Sequence, residues 1–415
     1  MFFIYQLILS LILLTSPLII LFRIFKNKED KKRFLEKFSI FSKKRSNGKL
    51  IWLHGSSVGE ILSIVPLIYN YEKNNSVDRI LITSSTLSSS KILKSFGFKK
   101  TMHQFYPIDH IIFTKRFLNY WKPSVAIFVE SEIWPSMFKE LEIKKIPLVL
   151  LNGRLTKKTF KRWIKLKHFS YSIFNKIAIA FPQNIETKLF LKKLKVKNIS
   201  FIGNLKYVNN DSKKYNINSK LKNQLNKKDV WVASSTHANE EIFCAKTHIQ
   251  LKKKNKNLIT IIIPRHIHRV SEIVNKIEKL NLKVAIHSLN PNNLNNVDIY
   301  IVDTFGETKK FFKISSSVFL GGSIVSKGGQ NPLEAVRYGS KILHGPNIDN
   351  FKDVYKLLKS LNASKKITTP GELASLISFK KNRKIGKKIK KIGEIILKKT
   401  IKELDTLIND EFKKT

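Results

Sequence analysis

The stretch "LIWLHGSSVGEILSIVPLIYNYEK", Leu50 to Lys73, joins a short apolar run to a turn of small residues and then to an amphipathic segment. An apolar run of this length that ends in a turn is typical of a buried parallel strand. The segment after the turn has apolar residues at helical spacing, and Ser56 or Ser57 can cap its start. The stretch therefore predicts a strand followed by a helix, which is the repeating unit of an α/β fold.

The same alternation continues along the chain. Further runs of strand length in the first half are "RILITSS", "SVAIFVE", "PLVLLN" and "KIAIAF". After a polar, asparagine-rich stretch a second series follows, with "VWVASS", "LITIIIPR", "KVAIHS", "DIYIVDTFGE", "SVFLGGS" and "SKILHGP". A chain of 415 residues exceeds the usual size of one core. We therefore predict an α/β protein with two Rossmann-like domains facing a cleft, at residues 26–210 and 211–415, the second ending in a basic helical tail from Lys380.

The segment "MFFIYQLILSLILLTSPLIILF" at the start of the sequence carries no charge, and its length is close to what a helix needs to cross a bilayer. No basic start and no small-residue cleavage site precede Arg23, which favours a retained anchor over a signal peptide. Basic residues follow at once, and such residues tend to stay on the cytoplasmic side. We predict a membrane anchor over residues 1–25, with shallow insertion and a buried soluble helix as alternatives.

The chain is strongly basic. Lys and Arg outnumber Asp and Glu by 77 to 30, which gives a formal net charge of +47. Such an excess fits an anionic partner, and a general compositional bias spread over solvated faces explains it equally well. No aromatic-interleaved basic patch accompanies the charge, so a nucleic-acid partner is not predicted. The single cysteine, Cys244, excludes a disulfide framework.

Polar side chains follow the predicted strands of the first half, among them Glu60, Glu130, Arg154 and Lys206. Carboxylates at strand ends suit general-base catalysis, and a nearby lysine can stabilise developing negative charge. Each site alone can also be explained by helix capping, because Glu60 lies in the first turn after Ser57. Capping does not require the other three side chains.

In the second half the densest signal is "FLGGSIVSKGGQNPLEA", in which a strand leads through two glycine pairs to a helix beginning near Pro332. Backbone N–H groups at such a helix start can hold a phosphate. Glu334 could accept hydrogen bonds from a ribose, and Arg265 could pair with the phosphate. Neither a Walker-type motif nor a strand-linked G-x-G-x-x-G occurs. His266 and His268 lack a ligand cluster around them, so no metal site is predicted.

These stretches resemble the 3-deoxy-D-manno-octulosonic acid (Kdo) transferases, membrane-anchored glycosyltransferases of lipopolysaccharide synthesis with a GT-B fold. The resemblance implies transfer of Kdo from CMP-Kdo to a lipid A precursor (lipid IVA) at the cytoplasmic face of the inner membrane, with no metal and no other cofactor. A GT-B transferase that uses another nucleotide sugar and another lipid acceptor is the alternative. The matching stretches run in order as far as Asp353 and are "LHGSSVGE", "ESEIWP", "LNGRL", "GNLKY", "SSTHANEE", "PRHIHR", "DTFGE", "GGSIVSKGGQNPLEA" and "GPNIDNFKD".

By that resemblance Glu60 is the catalytic base, and Glu130 and Lys206 stabilise the transition state. A carboxylate near its ordinary pKa of about 4.3 can serve as such a base. The first domain would bind the acceptor and the second the nucleotide sugar. Phe305 and Gln330 depart from the family, where methionine and histidine are expected. The implied contacts to CMP are Pro264, Arg265, Phe305, Gly306, Glu307, Asn331, Pro332, Leu333 and Glu334.

Overall fold

The computed structural model describes residues 1–209, 217–290 and 294–414, and the chain divides into two compact units. The first unit comprises Met1–Asn210 together with Gly393–Thr415, and the second comprises Asp211–Ile392. The predicted domain boundary between residues 210 and 211 lies outside the described residues. The sequence analysis placed the whole tail in the second domain, whereas the structure groups residues from Gly393 onward with the first unit.

A parallel sheet forms the centre of the first unit. Its strands are β1 (Leu50–His54), β2 (Arg79–Ser84), β3 (Thr101–Phe105), β4 (Val125–Val129), β5 (Leu148–Gly153) and β6 (Ile177–Pro182). Their order across the sheet is β3-β2-β1-β4-β5-β6, and neighbouring strands run parallel. This is the Rossmann order, in which the direction of winding reverses between β1 and β4. Side chains of both central strands are fully buried.

Helices cover the sheet and complete the core of the first unit. They are α1 (Phe2–Phe25), α2 (Val58–Lys73), α3 (Leu87–Lys94), α4 (Ile111–Trp121), α5 (Pro135–Ile143), α6 (Lys157–Lys165), α7 (Lys167–Phe174) and α8 (Ile185–Lys193). Two 3₁₀ helices, Phe34–Phe38 and Leu205–Tyr207, lie in the connections. Trp52 of β1 packs edge-on against Phe128 of β4, with ring centroids 5.1 Å apart, so large aromatic side chains fill the space beside the central strands.

Helix α1 lies with one face against the first unit. The Tyr5 hydroxyl donates to Asp109 Oδ2 at 2.8 Å, and Gln6 Nε2 donates to Ser136 Oγ at 2.7 Å. Of the described helices, α1 is the one long and apolar enough to cross a membrane by length and composition. Its other face is apolar and exposed, and the side chains that are at least 71% exposed there are Phe3, Leu14, Leu18 and Phe25.

The second unit has a parallel sheet of the same kind. Its strands are β7 (Asp229–Thr236), β8 (Leu258–Pro264), β9 (Val284–Ile286), β10 (Ile299–Ile301), β11 (Ser317–Leu320), β12 (Lys341–His344) and β13 (Ser364–Lys366). The sheet order is β13-β12-β11-β7-β8-β10-β9. Read from β10 to β13 it repeats the Rossmann order of the first sheet, with the winding reversed between β7 and β11 and with β9 added at one edge.

The helices of the second unit flank this sheet. They are α9 (Ser219–Leu225), α10 (Glu240–Lys252), α11 (Val270–Glu278), α12 (Thr308–Phe312), α13 (Leu333–Val336), α14 (Lys352–Ser360), α15 (Pro370–Leu376) and the first part of α16 (Arg383–Lys414). Short 3₁₀ helices span Ile267–Arg269 and Asp349–Phe351. Two parallel-sheet α/β units and an apolar N-terminal helix confirm the predicted fold class.

The predicted basic amphipathic tail is confirmed as helix α16, whose later residues pack in the first unit. Leu404 and Phe412 are buried, and Lys49 Nζ lies 5.1 Å from the centre of the Phe412 ring. Gly393 makes the closest approach, because a Cβ atom at that position would lie 2.2 Å from the carbonyl oxygen of Tyr207. The helix therefore packs directly against the segment that carries Lys206.

Candidate active site

Glu60 lies at the start of α2 and forms a capping box with Ser57. The Ser57 side chain accepts the N–H of Glu60 at 3.4 Å, and Glu60 Oε2 accepts the N–H of Ser56 at 2.6 Å and that of Ser57 at 3.4 Å. The capping explanation of this residue is therefore realised in the structure. It does not exclude a catalytic role, because the charges of Glu132 and Glu130 also act on Glu60.

The environment of Glu60 changes its acidity. Burial raises its pKa to about 7, and the negative charges of Glu132 and Glu130 act in the same direction against the hydrogen bonds from Ser56 and Ser57. The sequence analysis expected a pKa near the ordinary value for a carboxylate. The structure differs because the Glu60 side chain is largely buried and, to a smaller extent, because two further carboxylates follow β4. A base with a pKa near 7 is well matched to proton transfer at neutral pH.

Glu130 and Lys206 form an ion pair, with Lys206 Nζ 2.7 Å from Glu130 Oε1. Glu130 directly follows β4 and has a left-handed backbone with φ of 59°, a conformation that is costly for a residue with a side chain. Lys206 belongs to the short 3₁₀ helix Leu205–Tyr207. Asn204 caps this helix, because its Oδ1 accepts the N–H of Lys206 at 2.9 Å. Because β1 and β4 are neighbours, the residues that follow them meet at the switch point of the sheet.

Asn152, at the end of β5, holds the lysine segment in place. It is buried, its φ is 52°, and its Oδ1 accepts the N–H of Leu205 at 3.0 Å. The adjacent Lys206 is thereby fixed relative to the sheet edge. The structure thus brings together the three residues of the first half that the resemblance implied to be catalytic.

In the second unit, Pro264 and Arg265 lie where β8 ends. Pro264 is buried and Arg265 is exposed, with its N–H donated to Thr236 O at 3.0 Å. Its guanidinium is therefore displayed at the carboxyl edge of the second sheet. That placement is compatible with a contact to an anionic ligand.

The loop after β10 carries a further group of predicted CMP contacts. Phe305 is 80% exposed, and Gly306 has a φ of 84°, which favours glycine. Glu307 pairs with Lys310, with Oε2 2.7 Å from Nζ, so its carboxylate already has a cation partner. An exposed aromatic ring at this edge offers a flat apolar face to a ligand.

The last group of predicted CMP contacts surrounds the start of α13. The predicted helix is present but short, running from Leu333 to Val336. Leu333 is fully buried and its N–H is donated to Asn331 Oδ1 at 3.0 Å, while Pro332 is also buried. Glu334 is half-buried. The contacts of these residues with a nucleotide stay a prediction.

The structure also shows a role for Glu240, which was only part of a quoted motif in the sequence. This fully buried carboxylate accepts four backbone N–H groups at 2.7 to 3.1 Å. The bonds to the glycine loop span 82 to 84 residues, so local sequence patterns give no sign of them. The N–H of Gly322, which belongs to the first glycine pair, is therefore donated to the buried carboxylate of Glu240. The four donors are His237, Gly322, Ser323 and Ile324.

Across residues 1–209, 217–290 and 294–414, no group of three or more His, Cys, Asp or Glu side chains is arranged to hold a metal ion. His266 of the "PRHIHR" stretch lies near His237, with the two rings 5.6 Å apart.

Solved structures share this fold. The Anabaena protein Alr3699/HepE in complex with UDP aligns with 86% of this chain and 100% of its own, at a TM-score of 0.54 and 10% identity. The UDP-GlcNAc 2-epimerase of Neisseria meningitidis bound to UDP-GlcNAc aligns with 85% of this chain and 100% of its own, at a TM-score of 0.50 and 13% identity. At these identities the likeness concerns the fold alone, and with the two Rossmann-ordered sheets it defines a protein of the GT-B-like class.

Sequence relatives then give the family. The family described as "3-Deoxy-D-manno-octulosonic-acid transferase (kdotransferase)" matches residues 32–209. The 3-deoxy-D-manno-octulosonic acid transferase of Rickettsia bellii is 35% identical over 94% of this chain and 93% of its own length. That of Rickettsia prowazekii is 35% identical over 84% of this chain and 76% of its own. The chain belongs to the 3-deoxy-D-manno-octulosonic acid transferase family.

Proposed function

We propose that this protein transfers Kdo from CMP-Kdo to a lipid A precursor, lipid IVA, in lipopolysaccharide biosynthesis, with inversion at the anomeric carbon. Membership of the family supports Kdo transfer, because the relatives' names identify Kdo as the sugar that they transfer. The observation that carries the mechanism is the convergence of Glu60, Glu130 and Lys206 at one edge of the first sheet.

Glu60 is the general base of this mechanism. The acceptor hydroxyl oxygen forms a bond to the anomeric carbon of Kdo while the bond from that carbon to the CMP phosphate oxygen breaks, and the leaving CMP takes the electron pair. The hydroxyl proton passes to the Glu60 carboxylate as the new bond forms. Direct displacement with base and leaving group on opposite sides inverts the anomeric carbon. The raised pKa, about 7, makes this carboxylate a stronger base than an ordinary glutamate.

Lys206 stabilises the negative charge that develops during transfer. Its partner Glu130 is 8% exposed and the lysine side chain 19%, so the pair is largely shielded from water. A partly desolvated cation is more effective in stabilising charge than one in bulk solvent, and the pairing with Glu130 prevents the lysine from reorienting.

The second unit binds the donor. Arg265 contacts the phosphate of CMP-Kdo and Glu334 the ribose, as the resemblance implies, and the exposed Phe305 ring lies in the loop that contacts the nucleotide. No metal ion or other cofactor enters the mechanism. Residues 26–210 form the acceptor-binding domain, and the donor-binding domain starts at residue 211.

The acceptor is a lipid, and we place the protein at the cytoplasmic face of the inner membrane. The exposed apolar face of α1 and the net charge of +47 support this proposal, since both favour contact with an anionic membrane. The partners are therefore membrane lipids and the two substrates, and no nucleic acid.

The test is product analysis by mass spectrometry. Purified protein is incubated with CMP-Kdo and lipid IVA, and UDP-sugars replace CMP-Kdo in a parallel reaction. We expect a mass gain of one or more Kdo residues with CMP-Kdo, none with UDP-sugars, and strong loss of product with Glu60→Gln. The matched control is Glu142→Gln, which changes the same charge at an exposed ion pair with Lys176. Transfer from a UDP-sugar without transfer from CMP-Kdo would refute the proposal.

A further inference from the structure

Helix α1 packs on the first unit along one side, from its first turn to its last. Its 24 residues give it a length of about 36 Å. Positions three or four residues apart share one face of a helix, and the opposite side of α1 carries its exposed apolar residues. The buried or half-buried residues that follow this spacing are Phe2, Tyr5, Leu9, Leu13, Ser16, Ile20 and Arg23.

Both ends of α1 are held by the same unit. Near the start, Gln6 Oε1 accepts the N–H of Ile111 at 3.1 Å, in addition to the contacts of this turn described above. Just after the end, Glu29 is buried, and its Oε2 lies 2.9 Å from Arg23 Nε and 2.7 Å from Lys37 Nζ. The carboxylate therefore ties the last turn of α1 to the segment that follows it.

These attachments conflict with a helix that crosses the membrane. The ends of a spanning helix lie on opposite sides of about 30 Å of hydrocarbon. To span, α1 would have to leave the first unit, which strips Asp109 and Ser136 of their partners and exposes Gln6 to lipid. If α1 instead kept its contacts, charged groups such as Glu29 would enter the hydrocarbon, which is costly.

A basic helix lies beside the start of α1. Phe160, Trp163 and Ile164 of α6 pack against the core, and the Trp163 ring is 6.3 Å from Phe169, which lies 6.2 Å from Tyr5 of α1. The nine residues of α6 include no acidic residue. Cations beside an apolar ridge are typical of a surface that binds an anionic membrane. The exposed cations of α6 are Lys157, Lys158, Lys161, Arg162 and Lys165.

We propose that α1 lies in the plane of the membrane, with its exposed apolar side among the acyl chains just below the headgroups of an anionic phospholipid bilayer. The cations of α6 bind the phosphate groups of those lipids beside it. The inference rests on the proposed function, which places the protein at a membrane. It selects the shallow insertion that the sequence analysis left as an alternative to a spanning anchor. Apolar burial and charge attraction are two separate signals, and stable attachment needs both.

The depth of α1 can be measured with spin labels. Nitroxides are attached to Leu7→Cys, Leu14→Cys and Leu21→Cys in separate full-length proteins, which are reconstituted from detergent into vesicles of phosphatidylcholine and phosphatidylglycerol. The three positions are exposed and seven residues apart, so they lie on nearly the same side of the helix, and the native Cys244 is buried. Accessibility to oxygen and to a nickel chelate should give one shallow depth for all three labels.

Two results would overturn this placement. One is a label at Leu14 near the bilayer centre, with the labels at Leu7 and Leu21 each about 10 Å closer to opposite surfaces, as a spanning helix requires. The other is full exposure of all three labels to water. Kdo transfer is measured separately, and a parent that transfers none would overturn the proposed enzymatic function while the depth profile still decides the position of α1.

The role of α6 is tested by co-sedimentation with the same vesicles. The α6 variant combines Lys157→Gln, Lys158→Gln, Lys161→Gln and Arg162→Gln. The matched control makes the same change in charge at exposed positions of α16, with Lys384→Gln, Lys387→Gln, Lys388→Gln and Lys390→Gln. We expect the α6 variant to bind roughly 10²-fold more weakly, and the control to lose much less. Equal losses in the two variants would overturn the role of α6.

Discussion

Glu60→Gln separates the catalytic explanation of Glu60 from the capping explanation. In the parent, the Ser56 N–H is donated to Glu60 Oε2 at 2.6 Å. Glutamine keeps an oxygen that can accept this hydrogen bond, so the start of α2 should remain capped. It cannot accept the proton of the acceptor hydroxyl. We therefore expect the variant to fold, to bind CMP normally and to lose transfer activity.

The size of the loss follows from the role of the residue. Positioned general bases typically contribute about 10² to 10⁴ in rate, so the plateau rate should fall by roughly that factor. The base works only when ionised, and its pKa is about 7. The parent rate should therefore fall about tenfold for each pH unit below 7, whereas the low rate of the variant should not show this limb.

Stability gives an independent check of the same pKa. A carboxyl group whose pKa is raised on folding favours the folded state below its unfolded pKa of 4.5, and this contribution is lost as pH rises through about 7. The melting temperature of the parent relative to Glu60→Gln should therefore be lower at pH 8 than at pH 5. Glutamine has no such titration.

The assay is a single-turnover measurement with CMP-Kdo and lipid IVA, run beside calorimetric CMP binding and thermal melting. The capping explanation predicts a less stable variant with nearly intact turnover. A Glu60→Gln protein whose rate is within a few-fold of the parent would refute the base assignment. The Glu142→Gln control should match the parent in rate, affinity and melting temperature.

Three further predictions follow from the contacts. Lys206→Met removes the cation paired with Glu130 and should lower the single-turnover rate by about 10² to 10³ at unchanged CMP affinity, whereas a near-parent rate would show that the lysine is structural. Arg265→Ala should weaken CMP binding by about 10- to 100-fold in calorimetry, and unchanged affinity would remove it from the donor site. Gly393→Ala places a methyl group against Tyr207 and should cost about 1–3 kcal/mol by chemical denaturation, while parent stability would mean that α16 shifts freely.

Most strands were predictable because their apolar runs are long and buried. The two that the sequence analysis did not find are β3, "TMHQF", and β13, "SKK", and both are edge strands. An edge strand has only one neighbour and tolerates polar side chains, and these two carry few apolar residues, so the sequence gives no strand pattern there. The tail was correctly predicted as a helix, but its packing into the first unit depends on contacts with residues about 190 positions earlier, which local periodicity does not register.

The catalytic group was predictable for a different reason. In a parallel sheet, residues that follow the strands meet at one edge, so Glu60 and Glu130 could be grouped from their positions after apolar runs. The pKa of Glu60 could not be predicted in this way, because it depends on burial and on the distances between carboxylates. The buried acceptor role of Glu240 likewise emerges only when two distant loops are brought together.

The first unit is discontinuous in the chain, and this has a consequence for synthesis. Residues 393–415 supply buried side chains such as Leu404 and Phe412 to a unit whose other residues end near 210. A ribosome makes the whole second unit before it makes this segment. The second unit, which is continuous, can therefore close while the first still has an open apolar groove, so the usual order in which N-terminal domains complete folding first is reversed.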